Sequence, residues 1–387
     1  MTSSAHSGLV NLPEERSYLN TAAEGLPVRE AADALARALQ AKGEGSRGRE
    51  TLYAGETTCR EIAASLLGVG PEEVALVPDV STGIARFVEA FPWNPGDEVL
   101  LSDLEFPSNV TPWLIAQDRH GIRVRVVPTR AGVLQVEDLA AAASDRTRVV
   151  ALSHVSFKSG GRVDLERIAR LVRELGATLC VDATQALGVV PLPPDGWDVV
   201  WCSGYKWLLG VHGVAIMALR KSMLEHLSGG AAGWRSLSDP FAPDRFERVA
   251  WHPDARRFHA GMPAFGAVFV LEAAIRALQD TGLDAIEAHV SALGTHLLDG
   301  LADIGIRPLT PSDPRHRAGI VAYETAAFAE VGAALDAAGV DVWARDGRVR
   351  ISFHHYTSVR DIDRCLGALG RLHAEDHRAP KGGATTT

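Results

Sequence analysis

Cysteine is scarce in this 387-residue chain, with four in all (Cys59, Cys180, Cys202 and Cys365), and no two form a C-x-x-C or C-x-x-x-H pattern, so a zinc site has no support. Cys180 and Cys202 lie inside apolar runs and read as small core residues. So few unpatterned thiols fit a reducing, cytoplasmic compartment. Positive charge is also short. The formal net charge is −9, which argues against the basic face that a nucleic-acid partner requires but leaves room for a local basic pocket. No apolar stretch is long enough to cross a bilayer, since the run at 264–275 is short and carries Glu272. Residues 1–10, MTSSAHSGLV, lack a basic and an apolar region, so no signal peptide is expected. No G-x-G-x-x-G follows the first strand-like run, and GGAAG (229–233) comes too late in the chain, which disfavours a nucleotide-dependent oxidoreductase.

What is present is strand–helix alternation in a chain long enough for two packed domains. Seven short apolar runs read as strands: 73–78, 98–102, 122–128, 148–155, 178–183, 199–203 and 213–219. Several lack clean alternation, which suits strands covered on both faces by helices. Helical stretches intervene at 29–42 and at 164–176, where Leu165, Ile168, Leu171, Val172 and Leu175 recur at helical spacing and Gly176 supplies a stop. The expected fold is α/β, with a mostly parallel seven-stranded sheet and a smaller α+β C-terminal domain. The expected boundaries are an N-terminal tail at 1–17, a large domain at 18–263, linking helices at 264–304, a small domain at 305–374 and a frayed tail at 375–387.

In open α/β sheets, ligands bind at the carboxyl ends of strands. Asp182 ends one predicted strand and Lys206 follows the next, so an acid and an amine meet one crevice, as a salt bridge or as a reactive pair. Ser203 and Tyr205 flank that lysine. A lysine whose proton is easily lost can form a Schiff base with an aldehyde. Ser81 and Thr82 stand where a strand gives way to a helix, a place suited to an anion or to a simple N-cap. Phe106 on its own reads as core. Arg350, alternating with Val349 and Ile351, reads on its own as a solvated residue. His259, His354 and His355 are low-grade acid–base candidates.

Several blocks, in order, carry a resemblance: YLNTAAEGLP (18–27), LEFPSN (104–109), SHVSFKSG (153–160), VDATQALG (181–188), SGYKWLLG (203–210), RRFHAGMP (256–263) and RVRISFHHYTS (348–358). Together they resemble the class V aminotransferase family of fold type I pyridoxal-phosphate enzymes, which includes cysteine desulfurases, kynureninase and isopenicillin N epimerase-like proteins. The resemblance spans roughly residues 18–373. It implies pyridoxal 5′-phosphate as cofactor, with Lys206 as its Schiff-base lysine and the proton carrier at the substrate α-carbon. By the same resemblance Asp182 would pair with the pyridinium nitrogen and keep the ring an electron sink. Gln185 would contact the phenolic oxygen. Ser81, Thr82, Ser203 and Tyr205 would hold the phosphate, and Phe106 would stack where desulfurases carry a histidine. Arg350 and Asn20 would bind substrate. A homodimer with interfacial active sites and a small amino-acid substrate are implied as well, while the charge and hydropathy above point to no nucleic-acid or membrane partner.

The chain also departs from its relatives. No cysteine lies between Leu309 and Arg350, where desulfurases carry their persulfide cysteine, and Cys365 comes too late. Phe157 aligns with an asparagine and Met262 with a threonine. The expected activity is therefore β-elimination from a cysteine conjugate rather than persulfide formation. Transamination and epimerisation are the alternatives, and a non-catalytic binding module is a more distant one. The segments 229–259 and 310–318 are expected to line the pocket, and the first could pack on a partner subunit instead.

Overall fold

The computed structural model describes residues 15–228 and 230–376. Its strands, in chain order, are β1 (Ser17–Tyr18), β2 (Val74–Val77), β3 (Glu98–Ser102), β4 (Arg123–Val127), β5 (Thr147–Ser153), β6 (Thr178–Asp182), β7 (Val199–Ser203), β8 (Ala215–Leu219), β9 (Ile320–Glu324), β10 (Val340–Asp341), β11 (Trp343–Arg345) and β12 (Arg348–Ser352). The seven apolar runs become one sheet in the order β2-β8-β7-β6-β5-β3-β4. The strands from β4 to β7 pair in parallel, and β8 runs antiparallel to both of its neighbours. This is the fold type I α/β architecture.

The central strands show why alternation was weak. Leu100, Val150, Leu152, Leu179 and Val181 point into the core on one face. Val99, Leu101, Val149, Ala151, Cys180 and Trp201 point into a second core on the other. Both faces are dry, so both residue sets must be apolar. β4 departs from that expectation. It is an edge strand, and Arg123, Arg125 and Val126 are exposed, so two charged side chains guard an unpaired edge.

Helices cover the sheet. The amphipathic helix Leu165–Glu174 buries Leu165, Ile168, Ala169 and Val172 and is capped by the Asp164 carboxylate, which accepts the Arg167 N–H. Helices Ala31–Gly43 and Arg49–Leu67 pack on Phe265–Thr281 through Ala34, Ala38, Leu52, Phe269 and Val270. The helix Arg49–Leu67 does not stand out in the sequence, because Glu56 and Arg60 interrupt its buried face.

After the long helix Leu283–Asp303, a separate antiparallel sheet forms in the order β11-β12-β9, packed against helices Phe328–Ala337 and Val359–Asp376. The chain start joins this unit. β1 pairs with β10, and Ser17, assigned from sequence to the tail, is buried against Val340. Of the tails expected at 1–17 and 375–387, residues 1–14 and 377–387 lie outside the described residues. Among the described residues no helix is long and apolar enough to cross a membrane.

Candidate active site

The carboxyl ends of β2, β3, β5, β6 and β7 open onto one cavity, bordered by Ser81, Phe106, Phe157, Asp182, Tyr205 and Lys206 among others. β8, the one reversed strand, feeds its amino end there, so the site sits where the parallel order is broken.

Lys206 and Asp182 meet as the strand order requires, since β6 and β7 are neighbours. Lys206 is only 8% exposed. Burial draws its amine down from 10.5 to about 8, Asp182 pulls the other way, and the positive charge of Arg350 adds to the depression. Burial likewise pushes the Asp182 carboxyl up, opposed by hydrogen bonds from Thr184 and by Lys206. The Thr184 N–H donates to Asp182 Oδ1 at 2.9 Å, fixing the carboxylate. An amine near 8 is available in its neutral, nucleophilic form, and a dry carboxylate seeks a cationic or N–H partner.

The lysine turn is held from below. Gly25 donates its N–H to the Tyr205 carbonyl at 3.0 Å. A Cβ on Gly25 would lie 1.9 Å from the Lys206 carbonyl oxygen, so the opening segment can pass beneath Lys206 only as glycine. Leu209, fully buried, sits at φ 56° and closes the turn by donating to the Lys206 carbonyl. That left-handed leucine is backbone strain stored beside the buried amine.

Above the amine lies Phe106, its ring centroid 5.4 Å from Lys206 Nζ and 5.1 Å from the Phe157 ring, edge to face. Phe106 is 41% exposed, so the core reading fails and the ring faces the cavity. Beneath it, the buried Glu105 carboxylate accepts from Ser102 and Ser153 hydroxyls (both 2.6 Å) and from Asn109 (2.8 Å), which pins the turn.

Ser81, Ser203 and Tyr205 all border the cavity, and Tyr205 stacks on His212 at 4.1 Å. Thr82 does not. The helix Val80–Ala90 is capped by Asp79, which accepts the Thr82 N–H at 2.7 Å and its hydroxyl at 3.0 Å. The N-cap reading of the Ser-Thr pair therefore passes to Asp79, and Ser81, bonded to Ser108 Oγ at 2.9 Å, is the member of the pair that borders the cavity at this helix start. Gln185 borders the cavity with its amide oriented by the Ala22 carbonyl and the Trp207 indole N–H. Asn20 is not among the cavity residues, but its Oδ1 is buried without a hydrogen-bond partner.

Arg350 is 6% exposed, which overturns the solvated reading. It donates to the carbonyl of Phe157, a cavity residue, at 3.1 Å while its Nε has no partner, and Arg350 itself stands one residue back from the cavity wall, not among the lining side chains. The three histidines are corrected as well, since none borders the cavity. His259 accepts the Leu76 N–H and faces Glu56, and burial draws it down to about 3. His354 is sandwiched between Trp207 and Tyr356, bonded to the Trp207 carbonyl, and drawn down to about 4. His355 packs edge-on against His354. Nor do 230–259 and 310–318 line the cavity within one subunit, residue 229 lying outside the described residues. Residues 314–318 line a wider cleft with Arg162 and Glu287, whose charges satisfy each other at 2.5 Å.

Sequence reasoning missed Asp79, Ser108, Ser153 and Thr184. Asp79 had a visible signal, an acid directly before a helix; the others are brought in by strand order alone.

The class-V aminotransferase family matches residues 21–365 of the chain. An uncharacterized aminotransferase of Bacillus subtilis is 28% identical over 328 residues, covering 84% of this chain and 86% of its own length. A cysteine desulfurase of Salmonella choleraesuis is 29% identical over 325 residues, 78% of each chain. Among solved structures, the apo cysteine desulfurase of Thermococcus onnurineus superposes with a TM-score of 0.87 at 22% identity, covering 96% of this chain and 98% of the other. The cystine C–S lyase C-DES, solved with its product cysteine persulfide, gives 0.85 at 23% identity over 92% and 98%.

Proposed function

The chain belongs to the class V aminotransferase family of pyridoxal-phosphate enzymes, and from that premise we propose that it cleaves the C–S bond of an L-cysteine conjugate by β-elimination. The observation that carries the reading is Lys206: a buried amine lowered to about 8, next to the buried Asp182 and under the Phe106 ring.

The residues present fit the cofactor. Asp182 lacks a cationic hydrogen-bond partner in its dry setting, and a pyridinium N–H supplies one. Phe106 offers a face for a ring, Gln185 an amide, and Ser81, Ser203 and Tyr205 hydroxyls for the phosphate. When bound, pyridoxal phosphate supplies an electron sink for negative charge at the substrate α-carbon. Lys206 Nζ takes the α-proton and Arg350 grips the α-carboxylate through its unpartnered guanidinium edge. The thiolate leaves from the β-carbon, and with one water the products are pyruvate, ammonia and a thiol.

Elimination is preferred to persulfide formation because all four cysteines are buried free thiols, each with its pKa raised by burial, and none borders the cavity. The reading includes a homodimer, supported by Phe241 and Phe246 standing 77% and 86% exposed on the segment after Trp234.

The test is product analysis with S-substituted L-cysteines. Pyruvate, ammonia and thiol in equal amounts support the reading. Turnover that depends on a keto acid and frees no thiol makes the enzyme an aminotransferase. Alanine with enzyme-bound persulfide makes it a desulfurase.

A further inference from the structure

The small sheet carries an unusual face that reaches Phe157 in the cavity wall through Arg348 and Arg350. In the β11–β12 register Trp343 stands opposite Arg350 and Arg345 opposite Arg348, so three arginines share that face. Like charges directly opposite each other on a sheet cost stability. The only acid facing them from β9 is Glu324, opposite Arg348, and Asp346 lies in the adjoining turn. Burial lowers the Arg348 pKa and both acids oppose that shift, but among the described residues the Arg348 side chain makes neither an ion pair nor a hydrogen bond. Its guanidinium instead lies 5.4 Å from the Trp343 ring centroid and 5.8 Å from that of Phe157, a cavity residue. Arg350 lies 5.0 Å from the same Trp343 ring, with its Nε buried and unpartnered. Two guanidinium groups thus flank one indole beside Phe157, a residue of the cavity wall, and among the described residues neither is held in a side-chain ion pair. The repulsion is felt, because Arg348 helps burial to draw Arg350 down to about 10.

We propose that Arg348, backed by Trp343, is a second anion subsite beside Arg350, and that the substrate is an amino acid whose side chain ends in a carboxylate or a similar anion. This deepens the elimination reading and rests on it for the identity of the reaction. With Arg350 holding the α-carboxylate, Arg348 meets the far end of the side chain. Residues two apart on one strand face are roughly 7 Å apart, a span that an extended S-carboxymethyl cysteine covers between its two carboxylates. Trp343 and Phe157 pack the thioether stem between them, and a neutral tail leaves Arg348 without its anion.

The experiment compares S-carboxymethyl-L-cysteine with its neutral isostere S-carbamoylmethyl-L-cysteine on the holoenzyme, alongside calorimetric binding of glutarate and butyrate. The acid should be favoured in kcat/KM by at least ~10-fold, the scale of one charge-assisted pair, and glutarate should outbind butyrate by a similar factor. In Arg348→Gln both ratios should fall to near one, and Arg348→Lys should restore part of each. Turnover of the neutral conjugate reports that the variants are folded. Ratios near one in the wild type, or ratios that survive in Arg348→Gln, overturn the inference. If neither conjugate yields pyruvate, the elimination reading falls, and the glutarate preference and its loss in Arg348→Gln still decide this one.

Discussion

Replacing Gly25 by alanine should damage the enzyme although Gly25 has no chemistry of its own. The new Cβ would stand 1.9 Å from the Lys206 carbonyl oxygen, 2.8 Å from its carbon and 3.0 Å from the Tyr205 carbonyl oxygen. Ordinary contact begins near 3.5 Å, so backbone must yield by roughly 1.6 Å. All three atoms are backbone, so no side chain can swing away. Leu209, already in a left-handed conformation, closes the same turn and leaves little slack. Overpacking of this kind costs about 1–3 kcal/mol, and a displacement on the order of 1 Å at a reacting group costs about 10²-fold in rate. Steady-state kinetics on the best substrate, with urea denaturation of the same samples, reads both. The control is Gly43→Ala, at a helical position with nothing within 4 Å of its would-be Cβ, where stability should hold or rise by up to about 1 kcal/mol. A Gly25→Ala enzyme within twofold of wild type in kcat/KM would show that the opening segment does not position the lysine turn.

Other consequences concern charge. Only a neutral amine attacks an aldehyde, so with Lys206 near 8 capture of pyridoxal phosphate by apoprotein should speed roughly tenfold per pH unit below that value and level off above it; stopped-flow absorbance that climbs unchanged to pH 10 would contradict this. Asp182→Asn should retain a visible cofactor band yet lose about 10²–10³-fold in kcat, since an amide cannot hold a proton on the ring nitrogen; a loss under tenfold would remove Asp182 from that role. His354 is drawn below its ordinary 6.5 to about 4. The unfolded chain therefore binds more protons than the folded one between those values, so stability falls as pH drops from 6.5 toward 4, by about 3 kcal/mol for this group. Urea midpoints across that range should flatten in His354→Asn, and an unchanged slope would refute the assignment.

The sheet was legible because its strands are short, apolar and dry on both faces, and the Asp182–Lys206 meeting follows from their standing at the ends of consecutive strands. What was not legible depended on contacts distant in sequence. The exposure of β4 follows from its place at the sheet edge, which no local pattern encodes. Thr82 was claimed by Asp79, three residues back, rather than by a ligand. Arg350 alternates with apolar neighbours as an exposed residue would, yet β9, β11 and the Phe157 loop enclose it. The histidines attracted notice by residue type, and burial neutralises both His259 and His354 outside the cavity. Arg348 and Trp343 gained interest only once the register placed them on one face.

The account stands or falls on Lys206. The most direct measurement is borohydride reduction of the holoenzyme followed by peptide mass analysis. The account predicts that the visible band disappears and that a single pyridoxyl adduct maps to the lysine of SGYKWLLG, with none in Lys206→Ala. An adduct on another residue, Lys158 for example, or no band at all after the cofactor is supplied, would contradict it.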